Sequence, residues 1–383
     1  MFNVIILGIA SFLTDVSTEM VYPLLPLYLT SARIGASPAI VGLIEGLAES
    51  LASLIRVFSG AWSDRIQQRK PITILGYSFS TIGKILLYLS SSWQLVLAGR
   101  LGDRFGKGIR TAPRDALIAD STPADKRGNA FGLHRALDSA GASLGVIIAY
   151  VLFVAQKDDF SFVFLVSLIP AFLGVVALFF VREKIVPVKE RTLKEPWWQN
   201  FSTRWHVLDR RLKIFLVIVF IFTLGNSSNE FLLLRAKNLG LDDATVILMY
   251  LAFNLVYTVV SWPAGRLSDR VGRKKLLVLG YLTYGIVYLG FAVTTPIALW
   301  GWFALYGVYI ALTEGVEKAF VSDIAPKDVR ATLIGLHATF TGVGLLPASL
   351  FAGFLWDAFG QQATFYFGGA MGVLAAGALL FLI

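Results

Sequence analysis

The sequence predicts an all-α membrane protein, with twelve transmembrane helices in two pseudo-symmetric six-helix bundles. Three observations predict it. The 383-residue chain is 56% hydrophobic and only 15% charged, with a mean hydropathy of +0.68; soluble domains carry about 25% charged residues. Apolar stretches of roughly 20 residues, the length a helix needs to cross the hydrocarbon core, recur along nearly the whole chain. A short polar tract also occurs twice, about half a chain apart. The first copy is Gly60-Ala61-Trp62-Ser63-Asp64-Arg65 followed by Arg69-Lys70, and the second is Gly265-Arg266-Leu267-Ser268-Asp269-Arg270 followed by Gly272-Arg273-Lys274-Lys275. The rival class, a large soluble helical protein, needs amphipathic stripes of 3.6-residue period, and these are largely missing.

The apolar runs place spans 1 to 6 at 3–29, 38–62, 71–90, 94–119, 128–155 and 160–182. Spans 7 to 12 follow at 212–235, 243–264, 276–294, 298–322, 330–355 and 363–383. The domains expected are therefore residues 1–182, a basic linker over 183–211, and residues 212–383. Met1-Phe2-Asn3 runs straight into Val4-Ile5-Ile6-Leu7, with none of the basic n-region or small-residue cleavage site of a signal peptide. No cleaved leader is expected.

The loops differ sharply in charge. Those on one side hold Arg65, Arg69, Lys70, Lys126, Arg127, Arg270, Arg273, Lys274, Lys275, Lys327 and Arg330; the opposite loops hold little beyond Arg33, Lys157 and Lys237. Basic loops stay in the cytoplasm. The expected location is thus the cell membrane, multi-pass and in a bacterial inner membrane, with both termini cytoplasmic. The net charge of +9 is spent on this asymmetry, and nucleic acid is not an expected partner. The linker interleaves Lys184, Lys189, Arg191, Lys194 and Arg204 with Trp197, Trp198, Phe201 and Trp205. That composition suits either an amphipathic helix on an anionic cytoplasmic leaflet or a tether anchored by its tryptophans.

The halves align beyond the opening tract. Asp120-Ser121-Thr122-Pro123-Ala124-Asp125-Lys126-Arg127 matches Asp323-Ile324-Ala325-Pro326-Lys327-Asp328-Val329-Arg330, and Gly132-Leu133-His134 matches Gly335-Leu336-His337. Both matches share an offset of 203, against 205 for the opening tract. Parallel six-helix repeats about an axis along the membrane normal are a known transporter plan.

Gly-x-x-x-Asp-Arg with trailing basic residues, between spans 2 and 3 and echoed between spans 8 and 9, resembles the signature of the major facilitator superfamily, and the likeness covers the whole chain. The first copy departs from the pattern, with Gln67 where the second has Gly272. The resemblance implies a secondary transporter working by alternating access. It also implies that Asp64 faces the start of span 11 and Asp269 that of span 5, latching the cytoplasmic side shut, with Gly60 and Gly265 allowing close helix approach. In that reading Arg65 or Arg69 pairs with Asp120, and Arg270 or Lys274 with Asp323.

Charges at membrane depth cost roughly 2.5–3.5 kcal/mol each on insertion scales and mark function by default. Span 1 carries Asp15 and Glu19 on one face, span 2 Glu45 and Glu49, span 3 Lys84, and span 5 His134, Arg135 and Asp138. Span 4 carries Arg100, Asp103, Arg104, Lys107, Arg110, Arg114 and Asp115, so it must line water or pair with acids. Arg104-Phe105-Gly106-Lys107-Gly108-Ile109-Arg110-Thr111-Ala112 resembles the superfamily's helix-4 motif of proton-coupled members, with Lys107 in place of Gln and Arg110 in place of Gly. By that resemblance Arg104 sits beside the proton-accepting acid, Asp15 or Glu19, while Glu45, Glu49, Lys84, Arg135 and Asp138 form structural pairs.

In the second half, span 7 reads Asn226-Ser227-Ser228-Asn229-Glu230 and span 10 carries Tyr306, Tyr309, Thr313, Glu314, Glu317 and Lys318. Spans 1, 4, 7 and 10 line the cavity in the superfamily. The candidate cavity residues are therefore Asp15, Glu19, Arg100, Asp103, Arg104, Lys107, Asn226, Asn229, Glu230, Tyr306, Tyr309 and Glu314. In span 5, Gly141-Ala142-Ser143-Leu144-Gly145 suits either helix packing or the antiporter version of this helix, although Val146 stands at that version's proline.

Cysteine is absent, and His134, His206 and His337 form no ligand-spaced cluster, so no metal site is expected. Neither a phosphate-cradling loop nor a nucleophile elbow occurs, and no cofactor or enzymatic activity is expected. The expected function is proton-coupled efflux of a small molecule by a monomer, that is, antiport. The alternatives are a proton-coupled symporter or exporter of an organic anion or siderophore-like metabolite, and, as a different class, a non-transporting membrane sensor or scaffold.

Overall fold

A computed structural model describes residues 2–66, 68–123, 127–183, 209–324 and 330–383. Linker residues 184–208, on which the expected interfacial segment falls, lie outside the described residues. Twelve membrane-length helical segments follow one another, with no strand among the described residues. Spans 2 to 6 are Pro38–Ile66, Arg69–Tyr88, Trp93–Asp120, Arg127–Ala155 and Phe160–Phe179; spans 8 to 12 are Asp243–Val271, Arg273–Val293, Leu299–Ile324, Arg330–Phe359 and Gln361–Leu382.

Spans 1 and 7 are not continuous, contrary to the sequence expectation. Span 1 is a helix over Phe2–Val21, a 3-10 turn over Tyr22–Leu24 and a helix over Leu25–Thr30. Pro23 and Pro26 cause the break, since each removes a backbone donor and clashes with the preceding turn. Span 7 is Arg210–Gly225 followed by Glu230–Asn238. Asn226 to Asn229 break it, because Ser and Asn side chains compete for backbone groups in non-helical conformations. Backbone freed at membrane depth must find other partners. Accordingly the Tyr284 hydroxyl donates to Gly225 O at 2.7 Å, Ser228 N to Ser349 Oγ at 3.2 Å and Glu230 N to Ser228 Oγ at 3.2 Å.

The repeated tract is helical rather than a turn. Span 2 extends through it to Ile66, and span 8 extends to Val271. Gly272, at φ 98°, makes the reversal in the second copy, a conformation glycine adopts at no steric cost. Span 6 starts at Asp159, whose carboxylate accepts from Ser161 N at 2.8 Å and Phe162 N at 3.3 Å. Asp159→Ala should cost about 1 kcal/mol of stability, read as a lower thermal midpoint in detergent; an unchanged midpoint would discount this cap.

Nine of the segments are long and apolar enough to cross a membrane by length and composition. Spans 3, 4 and 10 fall short because their charges lower the mean. The fold turns these inward: Lys84, Arg100, Asp103, Arg104, Arg110 and Glu317 are all buried. Large apolar side chains face outward instead, among them Phe172 (62% exposed), Val259 (72%) and Leu374 (61%). Such a shell needs lipid rather than water.

Within spans 1 to 6, span 4 packs closely on spans 2 and 3, and span 1 packs on spans 5 and 6. Glycine permits this closeness. A Cβ on Gly83 would lie 2.5 Å from Gly99 O, and one on Gly145 would lie 2.5 Å from Val16 O. The Gly141-to-Gly145 pair thus seats span 5 on span 1. Within spans 7 to 12, spans 9 and 12, 8 and 10, and 7 with 11 and 12 make the corresponding contacts.

The two groups of spans meet through span 2 against span 11, span 5 against span 8, and the broken ends of spans 1 and 7. The seam is tightest away from the basic loops. A Cβ on Gly46 would meet Leu346 Cα at 3.0 Å, one on Gly353 would meet Ala39 Cα at 2.6 Å, and Ala39 N donates to Asp357 Oδ2 at 3.3 Å. Toward the basic side, among the described residues, a Cβ on Gly60 would meet only Ala112 of its own half, at 3.3 Å, and one on Gly265 of span 8 would meet nothing within 4 Å. The protein is closed on its less charged side and open on its basic side.

Candidate functional site

Span 4 is the spine of the polar interior, and its cations leave it in different directions. Arg100 donates to Glu45 of span 2 at 2.5 Å and lies 3.6 Å from Asp103. Arg104 pairs with Glu49 of span 2 at 3.0 Å. Arg110 turns to span 3, bonding Ser80 Oγ with its guanidinium 4.6 Å above the Tyr77 ring. Arg114 binds Asp115 and donates to Ser11 Oγ of span 1, each at 2.9 Å. Ser11 also meets the Tyr77 hydroxyl at 2.9 Å and His134 Nε2 at 3.0 Å, and His134 Nδ1 lies 3.5 Å from Asp138. Lys84 of span 3 donates to Thr18 Oγ1 at 3.0 Å.

The expected neighbours Asp15 and Arg104 are not paired. Arg104 goes to Glu49 because spans 2 and 4 run closely together while spans 1 and 4 touch only briefly. Asp15 has no ion pair among the described residues. It is half-buried and lies in the field of Arg110, Lys107, Arg114 and Lys84. Lys107 is likewise half-buried and without an ion pair among the described residues. Glu19, one turn beyond Asp15, accepts a 2.9 Å hydrogen bond from Tyr250 of span 8. The Tyr22 and Tyr250 rings meet beside it at 5.6 Å, so this acid joins the two halves.

In the second half a tyrosine wall holds the broken span 7. Asn226 donates to the Tyr309 hydroxyl at 3.1 Å, the Tyr306 hydroxyl donates to Asn229 at 2.6 Å, and Ser227 meets the Tyr288 hydroxyl at 3.5 Å. Tyr281 donates to Glu317 at 2.9 Å, and His337 lies 3.1 Å from the same carboxylate. The 281, 284, 288 spacing puts these tyrosines of span 9 on one helix face, a stripe that the charged residues overshadow in the sequence.

Glu230 opens the second piece of span 7 with 0% exposure, and neither of its carboxyl oxygens has a hydrogen-bond partner. A helix N-terminus favours a carboxylate by about 0.3–1 kcal/mol, whereas burying an ion without partners costs several kcal/mol. The second effect wins, and the site as built suits a neutral acid.

Six expected cavity residues are buried here: Arg100, Asp103, Arg104, Glu230, Tyr306 and Tyr309. They lie under the closed side, where ion pairs and the tyrosine wall enclose them. Asp15, Glu19, Lys107, Asn226 and Asn229 are half-buried. Glu314 lines a cavity of about 590 Å³ on the basic side, together with Arg135, Tyr257, Gly265, Asp269 and Lys318. There Tyr257 donates to Glu314 at 2.6 Å, while Arg135 of span 5 lies 3.3 Å from the Tyr257 hydroxyl and 3.9 Å from Glu314.

Gly265 and Asp269 border this cavity, which Arg135 of span 5 also lines, and the side chains of Asp64 and Arg65 lie outside the described residues. Arg69 meets Asp120 at 2.5 Å. Asp323 is held by Arg273 at 2.7 Å, not by Arg270 or Lys274. Arg273 begins span 9 directly after the Gly272 reversal and also lies 3.5 Å from Asp269, whereas Lys274 donates to Leu380 O at 3.1 Å.

Two sets of six membrane-length helices, a lipid-facing shell and a polar interior open to one side define a multi-pass membrane transporter. The sequence matches the profile of the Major Facilitator Superfamily over residues 7–234 and 214–383. The chain belongs to that superfamily. An uncharacterised MFS-type transporter of Methanocaldococcus jannaschii is 40% identical over 99% of this chain and 94% of its own length. The multi-drug resistance efflux pump PmrA of Streptococcus pneumoniae is 27% identical, covering 95% and 92% of the two chains. The crystal structure of the nucleoside transporter NupG, in its D323A mutant form, superposes with a TM-score of 0.84 over 99% of both chains at 14% identity, a likeness of fold alone.

Proposed function

We propose that the protein exports a small molecule in exchange for protons, with its basic side in the cytoplasm of a bacterial-type inner membrane and both termini on that side. The observation that carries this reading is the state of span 1. Asp15 is a half-buried acid without an ion pair among the described residues, set in the field of four cations. One turn away, Glu19 is tied to Tyr250 in the opposite half. Asp15 takes the proton, and its charge balance with Lys107, Arg110 and Arg114 changes as the halves move. Arg104 acts at one remove, by holding Glu49. The similarity to an efflux pump supports export. The gate comprises Gly60, Asp64, Arg65, Arg69 and Asp120 with Gly265, Asp269, Arg273 and Asp323, and it closes when the cavity turns outward. The transporter works as a monomer.

Asp15→Asn should reduce proton-driven flux at least about tenfold while leaving gradient-free substrate exchange in place. The measurement is made in proteoliposomes screened with ethidium as a cationic probe and fluorescein as an anionic one. Retention of driven flux in Asp15→Asn would remove Asp15 from the proton path.

A second reading, export or symport of an organic anion, is favoured by Lys107. An ammonium facing the interior without an ion pair is a ready site for a carboxylate or phosphate. Under that reading fluorescein is carried, ethidium is not, and Lys107→Met abolishes the transport.

A further inference from the structure

We propose that Glu45 and Glu230 form a proton-binding site shared between the two halves, and that its occupancy holds the less charged side closed. Glu230 is wholly buried, with no hydrogen-bond partner for either carboxyl oxygen. The acid of the other half that faces it is Glu45: Phe231, the residue after Glu230, packs on span 2 at Gly42, one turn before Glu45. Two ionised carboxylates offer only acceptors to each other. They repel when both are charged, and a single proton turns the contact into a hydrogen bond.

The other facing groups do not supply that proton's effect. Arg100 of span 4 is already committed, at 2.5 Å to Glu45 and 3.6 Å to Asp103, and its guanidinium lies 5.6 Å from the centre of the Tyr22 ring of span 1. Arg104 is paired with Glu49 at 3.0 Å. Spans 9, 10 and 11 bring uncharged groups to the break: Tyr288 at Ser227, Tyr306 at Asn229 and Ser349 at Ser228 N. The cluster around Arg100 therefore carries more acid than base unless a proton is bound.

The site lies in the seam that closes. Glu45 sits between Gly42 and Gly46, the glycines that let span 2 press on span 11, and a Cβ on Gly42 would also meet the Phe231 ring at 3.0 Å. Parting of this seam would expose both acids to the less charged side. A proton taken up there is trapped as the seam shuts. The proton leaves the way it came, when the seam parts, and without it two like charges resist reclosure. The site does not depend on Asp15 carrying the transported proton.

The chain has no cysteine, so spin labels can be placed singly. One pair, Ala32→Cys with Thr295→Cys, spans the less charged side; a second, Gln68→Cys with Lys275→Cys, spans the basic side. Distances are measured in nanodiscs from about pH 9 to about pH 5. Acidification should shorten the first distance and lengthen the second. The ratio of states should change by up to roughly tenfold per pH unit for one linked proton. Glu230→Gln should hold the first distance short at every pH, because its amide donates permanently to Glu45. Glu230→Asp should keep a pH response with a displaced midpoint.

Glu19 predicts the opposite sign, since protonating it weakens its bond from Tyr250 and frees the same side. A first distance that lengthens on acidification, or does not change, overturns the proposal. So does a Glu230→Gln variant that responds like the parent. If Glu230→Gln does not fold, the sign in the parent and the midpoint in Glu230→Asp decide. Loss of driven flux in Asp15→Asn with the pH response of the distances intact separates this site from the transport reading.

Discussion

Replacing Arg100 by alanine is expected to destabilise the protein by about 3–5 kcal/mol, the cost of breaking a buried ion pair from one side. Arg100 and Glu45 are each 2% exposed and meet at 2.5 Å. Without the guanidinium, Glu45 would be left buried with no cation committed to it, since Arg104 is held by Glu49 and Lys84 faces Asp103. The double variant Arg100→Leu with Glu45→Leu should be milder, because removing both charges leaves no orphan ion. Chemical unfolding in detergent measures both. A single variant as stable as the parent, or a double variant worse than the single, would show that the pair is solvated and not the keystone described.

The second large effect concerns the seam rather than the core. Gly46→Val should prevent closure of the less charged side, because its branched side chain would run into Leu346, where a bare Cβ is already at 3.0 Å from Cα. Overpacking costs about 1–3 kcal/mol. Here that cost falls on one state only, shifting the population roughly 5- to 150-fold. Transport should fall accordingly while the unfolding midpoint stays near the parent's. Gly83→Val is the contrast. Gly83 packs spans 3 and 4 of one half, and a Cβ there would lie 2.5 Å from Gly99 O, so its damage should appear in folding yield. A Gly46→Val variant that transports normally would show that spans 2 and 11 need not approach so closely.

The architecture was legible because lipid imposes it. Length, apolarity and loop charge reveal a spanning helix whatever it packs against, and the repeat betrayed the two-part plan. Even the breaks obey that repeat: Tyr22 and Asn226, where spans 1 and 7 falter, stand 204 residues apart. Pro23 and Pro26 stand at the first break and the Asn-Ser-Ser-Asn run at the second, but apolar length alone reads both spans as continuous. Spans 2 and 8 run on past the apolar text to Ile66 and Val271, because polar residues beyond the hydrocarbon core can continue a helix.

Partner choice among charges was much less legible. The helix-4 resemblance sets Arg104 beside Asp15 or Glu19, yet the close packing of span 2 on span 4 gives it to Glu49. Asp323 takes Arg273 for a similar reason, since the Gly272 reversal aims that side chain and not Lys274. The Glu19–Tyr250 bond and the Glu45–Glu230 contact cross between halves, where neither periodicity nor spacing reports. Those residues were visible as charges at depth, while their partnership depends on how two bundles meet.

Proton-driven export through this interior, as proposed above, is open to direct measurement. Its most direct test is proteoliposomes holding a pH-sensitive dye, given a proton gradient and then ethidium or fluorescein. At least one probe should dissipate the gradient and accumulate on the side from which protons leave, and Asp15→Asn should abolish both. Probe movement that neither consumes the gradient nor responds to it would contradict the account.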